Sequence, residues 1–191
     1  PVSLELLTSQ LADTDRPAAT RLPAPLAEAL ANDHRRKNIV DLVTRDSVAQ
    51  VCADPLVENG TALKVHLVPW HGIHDFLPRD VSEANRHIAH RLLCDADPND
   101  TDLPAMWNRY LWLWQQVEHT DALNCPRVSD PDDPCAHLPE LVRHLIKSLR
   151  VQGELTAAAS LGQRAARLWS QRLGDTHIGV VRIRIVTGNV L

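Results

Sequence analysis

The stretch that decides the fold is Leu138-Pro139-Glu140-Leu141-Val142-Arg143-His144-Leu145-Ile146-Lys147-Ser148-Leu149-Arg150-Val151. Its apolar residues Leu138, Leu141, Val142, Leu145, Ile146 and Leu149 fall at i, i+3, i+4, i+7, i+8 and i+11, the spacing that lines one face of an α-helix. Gly153 breaks the pattern. A second helical run carries Ala158, Gly162, Ala165, Ala166, Trp169 and Leu173, and Gly174 ends it as a glycine just past a helix does. A third apolar helix starts near Thr176 and runs to the chain end. Small residues at Ala158, Gly162 and Ala165 allow close approach to a partner helix that offers Leu145 and Leu149.

Working outward, Asn124 to Pro134 form a loop, and the residues before it form two more helices. Asp80-Val81-Ser82-Glu83 has capping-box spacing, with Asp80 as N-cap and Glu83 at the third helical position. Val81, Ala84, Ile88 and Leu92 follow on one face. After a polar break from Asp95 to Asp102, Pro104 opens a helix with the stripe Met106, Tyr110, Trp114 and Val117. Trp107, Tyr110 and Trp114 share a core-facing side; Trp112 points elsewhere, toward the next helix or a partner.

Further upstream, Leu4 to Cys52 reads as short helices interrupted at Pro23 and Pro25. One apolar face holds Leu26, Ala29 and Leu30. Another holds Ile39, Leu42 and Val43 behind Asn32-Asp33. Strand-like alternation occurs at Ser47–Val51 and Thr61–His66, and Asn59-Gly60 between them is a hairpin signal. The expected fold is therefore mainly α. A winged-helix-like module with a small β-hairpin spans 1–77, connecting helices and a loop span 78–135, and α–α hairpins span 136–191.

The run Val142 through Ala166 resembles a tetratricopeptide repeat, with Leu145, Leu149, Gly153, Ala158 and Ala165 matching its large and small positions. Arg164 to His177, ending Leu173-Gly174-Asp175-Thr176-His177, is similar to the longer repeat of kinesin light chains and many bacterial regulators. It departs at Ile178, where proline is usual, and at Gly162, where a large residue is usual. The resemblance implies a protein or peptide partner. About three repeats make a stable array, so one and a half imply a truncated array or a cap made by the preceding helices. A start at Pro1 and an end at Leu191 inside an apolar helix fit a segment of a longer protein.

Leu63-Lys64-Val65-His66-Leu67-Val68 resembles the Met-His-Asp motif in the winged-helix domain of STAND-class (NB-ARC, NLR-like) ATPases. Val65 stands for the methionine, His66 for the histidine, and Leu67 replaces the aspartate. Met106-Trp107-Asn108-Arg109-Tyr110 is similar to a Trp-Pro-Arg-Tyr segment in bacterial tetratricopeptide members. The resemblance implies that His66 contacts ADP bound on an NTPase domain outside this chain.

Other chemistry is thinly represented. There is no Gly-x-x-x-x-Gly-Lys-[Ser/Thr] loop and no Gly-x-Ser-x-Gly setting, so no enzyme is expected from these residues and no cofactor is expected in the chain, with ADP or ATP belonging to a parent protein. His87 and His90, with Glu83 a turn earlier, have the spacing of a helix-face metal site but read as exposed polar residues; His71 and His74 read likewise. Cys125, Cys135 and His137 lie too far apart for a compact zinc knuckle. Asp130, Asp132 and Asp133 lack the glycine and glutamate of a calcium loop. No metal is expected.

Hydrophobic residues make up 44% and charged residues 23%, with a net charge of −4. That balance disfavours a dedicated nucleic-acid or anionic-membrane binder. No stretch reaches the roughly 18 apolar residues of a membrane span. Four sparse cysteines fit reduced thiols and a cytoplasmic setting. Arg143, Lys147 and Arg150, on the polar side of the 138–151 helix, are the candidate partner-binding residues.

Three functions follow. The first is the regulatory and sensor arm of a STAND-type NTPase. The second is a DNA-binding regulator, with His34-Arg35-Arg36-Lys37 as its basic cluster. The third is a plain adaptor.

Overall fold

Residues 2–3, 28–29, 31–54, 60–65 and 76–190 are described in the computed structural model of the chain. The chain is mainly α-helical with a small antiparallel sheet. It divides into two compact units, Pro1–Asn85 and Arg86–Leu191.

In the first unit, strand β1 (Val2–Ser3) and helix α1 (Asp33–Arg45) precede strands β2 (Ala49–Ala53) and β3 (Thr61–Val65). Asn32 caps α1, its side chain accepting from the Arg35 amide at 3.0 Å. This is the Asn-Asp start that the sequence indicates, and it satisfies one amide that the helix itself leaves unpaired. The strands run in the order β1-β3-β2, with Val51 opposite Leu63 and Cys52 opposite Ala62. The two-residue β1 has no sequence signal. Ile39 and Leu42, expected to carry an apolar face, are 44% and 48% exposed, and α1 has no buried residue. The face of Leu26, Ala29 and Leu30 lies largely outside the described residues.

Helix α2 (Arg79–Asp95) begins two residues earlier than expected. The Ser82 amide bonds the Pro78 carbonyl at 2.9 Å, so Asp80 lies inside the first turn and is not the N-cap. Glu83 does not close a capping box. It accepts from Arg79 Nε at 3.0 Å, an i,i+4 ion pair. The unit boundary falls within this helix.

The second unit contains the C-terminal part of α2, then α3 (Trp107–His119), α4 (Leu138–Val151), α5 (Leu155–Leu173) and α6 (Ile178–Gly188). Pro104–Met106 forms a 3-10 turn leading into α3. The buried side of α3 is Tyr110, Trp112, Leu113 and Val117, so Trp112 faces the core. Residues 120–137 connect α3 to α4 through three 3-10 turns, Ala122–Asn124, Pro126–Ser129 and Pro134–His137.

All six apolar positions of α4 are buried at 1% exposure or less. Its end is a Schellman turn. Gly153 takes φ +84°, the Glu154 amide bonds the Leu149 carbonyl at 2.9 Å, and the Gly153 amide bonds the Arg150 carbonyl at 3.1 Å. A residue with φ in that range is strained unless it is glycine.

Helix α4 packs on α3, α5 and α6, and α5 also packs on α6. Two glycines set the approach of α6. A Cβ on Gly162 would lie 2.0 Å from Thr187 Oγ1, and one on Gly179 would lie 2.8 Å from Pro139 Cβ. The small residue at 162 therefore serves the α5–α6 contact. Among the described residues, no helix is long and apolar enough to cross a membrane.

Candidate functional site

Two histidine–cysteine pairs that the sequence holds far apart meet in the second unit. Helical geometry puts His87 and His90 one turn apart on α2. His90 is 1% exposed and His87 is partly buried, so neither is the exposed polar residue expected. Cys125 ends the Ala122–Asn124 turn, and Pro126 directs the chain into the next one. Cys135 follows Pro134, where the missing N–H of proline suits a turn start. The Cys135 amide donates to Asp133 Oδ1 at 2.9 Å. Both cysteines are fully buried.

His87 Nδ1 lies 3.8 Å from Cys125 Sγ and 3.6 Å from Cys135 Sγ. Donor atoms of His87, His90 and Cys125 all lie within 4.8 Å of one another, as do those of His87, Asp133 and Cys135. The outer nitrogen of each imidazole is spoken for. His87 Nε2 pairs with Asp133 Oδ2 at 3.0 Å, and His90 Nε2 donates to the Thr120 carbonyl at 2.8 Å. A carbonyl only accepts, so His90 Nε2 carries a proton, and in the neutral ring Nδ1 presents a lone pair. That buried Nδ1 has no hydrogen-bond partner among the described residues.

The electrostatics favour a thiolate here. The Cys135 thiol beside Cys125 holds the latter well below the usual thiol range, and burial opposes this. Cys135 is correspondingly pushed up, first by its hydrogen bond to Cys125 and then by burial. Burial would raise the Asp133 carboxyl, but hydrogen bonds from Cys135 and the charge of His87 leave it lowered. Cys94, one turn past His90, is pushed up chiefly by burial. Two triads that share His87, one with His90 and Cys125 and one with Asp133 and Cys135, place sulfur and imidazole donors side by side, a chemistry that suits a soft or borderline cation.

His137 is exposed at the end of its turn and is absent from both donor groups, whereas Cys125 and Cys135, read from their spacing as too far apart for a compact site, each belong to one. His66, His71 and His74 lie outside the described residues. Of the candidate partner-binding residues, Arg143 is engaged within the fold. Its Nε donates to Glu140 Oε1 at 3.0 Å and its Nη2 lies 2.7 Å from His144 Nε2. His144 in turn meets Asp97 Oδ2 at 2.7 Å, with both side chains under 10% exposed. Lys147 and Arg150 are half-buried along α4.

Sequence spacing shows each pair separately, and only the tertiary fold joins them. The one local signal is that His87, His90 and Cys94 share a face of α2 at i, i+3 and i+7. Comparison of the chain with protein-family models, curated proteins and solved structures found no match.

Proposed function

We propose that this chain is the regulatory and sensor arm of a STAND-type NTPase, not itself an enzyme, working in the cytoplasm and binding a protein or peptide trigger through its helical repeats. The observation that carries the reading is the mutual packing of α4, α5 and α6, with glycines at both close approaches of α6. A helix that packs on both members of the preceding hairpin is how a repeat array propagates, and such arrays act by offering an extended surface.

The order α1, β2, β3 in the first unit supports a winged-helix-like module. His66 follows β3 directly in the sequence, the position from which the resembled motif reaches ADP. For signalling, the trigger must bind the open form of the parent protein more tightly than the closed form.

The basic cluster on α1 favours a DNA-reading role less. Arg36 pairs with Asp33 at 2.7 Å and Arg35 with Glu28 at 3.6 Å, which offsets charge that a phosphate backbone would need.

The test mixes the chain with a STAND-type NTPase domain from the same parent gene. Association should require ADP, weaken with ATP, and be lost in His66→Ala. Association indifferent to nucleotide would leave a plain adaptor. Salt-sensitive binding to random duplex DNA would revive the regulator reading.

A further inference from the structure

We infer that His87 Nδ1, His90 Nδ1, Cys125 Sγ and Cys135 Sγ together hold one zinc ion, which staples α2 to the connection ahead of α4. Four observations converge on this assignment.

The first is spacing. Zinc–sulfur bonds of about 2.3 Å and zinc–nitrogen bonds of about 2.05 Å at a tetrahedral angle give a sulfur–nitrogen edge of about 3.6 Å. The distances from His87 Nδ1 to Cys135 and Cys125 are 3.6 and 3.8 Å. A hydrogen bond to one thiol would account for one short contact; two from the same nitrogen match edges of a coordination tetrahedron.

The second is orientation. A ligating imidazole usually donates its far N–H to a carboxylate or a carbonyl, which fixes the tautomer and aims the near nitrogen at the metal. Both histidines have such a support, His87 from Asp133 and His90 from Thr120.

The third is the buried His90 Nδ1 lone pair, which finds no hydrogen-bond donor among the described residues. A cation between it and Cys125 supplies the missing partner.

The fourth is charge. Two thiolates balance a divalent cation, so the buried assembly is neutral once two thiol protons have passed to solvent.

Asp133 belongs outside the coordination sphere. Its Oδ2 is committed to His87 and its Oδ1 to the Cys135 amide. With four protein donors the site is closed, and it offers no position for a water or substrate, which makes it structural. Calcium and magnesium are excluded by the absence of a hard oxygen set.

The test uses the full chain. Protein refolded with zinc should carry one zinc per chain by elemental analysis. Cobalt(II) should give the intense d–d bands and thiolate charge transfer of a tetrahedral sulfur site. Cys125→Ser and His90→Ala should lose the ion, while Cys52→Ser should keep it. Should those variants fail to fold, a mercurial added to the wild type should release one zinc to a chromophoric chelator. Asp133→Asn should keep the tetrahedral spectrum but bind zinc about 10- to 100-fold more weakly. Substoichiometric metal after refolding with zinc, weak octahedral cobalt bands, or a Cys125–Cys135 disulfide in freshly purified protein would each overturn the assignment.

Discussion

Replacing Gly162 with alanine sets two opposing effects on one atom. Within a helix, alanine is better than glycine by about 0.5–1 kcal/mol, because glycine loses more backbone freedom on folding. Against that, the new Cβ would stand 2.0 Å from Thr187 Oγ1, 2.9 Å from its Cγ2 and 3.0 Å from its Cβ. Rotating Thr187 moves the first two atoms but leaves the third, and it breaks the 2.7 Å bond from Oγ1 to the Ile183 carbonyl. Helices α5 and α6 must therefore shift apart. Overpacking of this kind costs about 1–3 kcal/mol, and the lost hydrogen bond about 1 kcal/mol more. The net expectation is a destabilisation of about 1–3 kcal/mol. In a cooperative unit of roughly 100 residues, that lowers Tm by at least ~4 °C. Circular dichroism during thermal and urea unfolding measures it. Adding Thr187→Ala removes the two shortest contacts and should recover about 1 kcal/mol beyond additivity. A rise in Tm for Gly162→Ala, or strict additivity in the double variant, would refute the close approach of α5 and α6.

Other perturbations probe the same unit. His144→Ala strips Asp97 of its 2.7 Å partner and, among the described residues, leaves it Tyr110 Oη and the Asn99 amide, at 3.1 and 3.0 Å. Breaking a buried pair of this kind costs about 3 kcal/mol, and urea unfolding should show it. Trp169→Phe removes the 3.0 Å bond from Nε1–H to the Leu123 carbonyl and should cost about 1–2 kcal/mol. Acid should also destabilise the fold. The Arg143 hydrogen bond lowers Glu140, and hydrogen bonding lowers Asp133 against its burial. Groups lowered by folding stabilise the native state above their unfolded values and lose that contribution as pH falls. Tm should therefore drop as pH goes from about 5 toward 3. Glu140→Gln should flatten the slope, and an unchanged slope would remove Glu140 from the account.

The helical hairpin was legible because its signal is dense. Six apolar positions of α4 follow one period, and glycines stand at both helix ends. The α3 stripe was only half legible. Tyr110 and Val117 are buried as expected, but Leu113 and Trp112 complete the buried side and Trp114 is only partly covered. Four aromatic residues in one short helix let periodicity choose more than one face, and the packing of α3 on α4 selects among them. The Asp80 capping box failed because a motif of side chains cannot tell whether an upstream carbonyl, here that of Pro78, will take the amide first. Gly179 passed unremarked, since the need for a small residue depends on Pro139, forty positions away. The His–Cys cluster was missed for the same reason. Spacing rules for metal sites describe ligands delivered by one compact loop, whereas these arrive from a helix and from two separate turns. Each pair viewed alone had an ordinary explanation, and only the positions of the donor atoms join them.

The connection at 120–137 is held from two sides, and the two ties can be separated. From α5, Trp169 bonds the Leu123 carbonyl, and Arg172 Nη1 donates to the carbonyls of Asn124 and Cys125, each at 2.8 Å. From α2, the hold runs through His87, His90 and their sulfur partners. The α5 tie consists of ordinary hydrogen bonds and owes nothing to a metal. Chelation should therefore release the α2 side alone. Hydrogen exchange measured with and without a strong chelator should show faster exchange in α2 near His87 and His90 and at the Cys135 amide, which donates to Asp133. Amides of α4 and α5 should keep their protection, because their core of Leu141, Leu145, Leu149, Leu161 and Trp169 is buried independently of the cluster. Equal loss of protection throughout the unit would mean that the ion holds the whole repeat together. No change anywhere would mean that the cluster is ordinary packing of thiols and imidazoles.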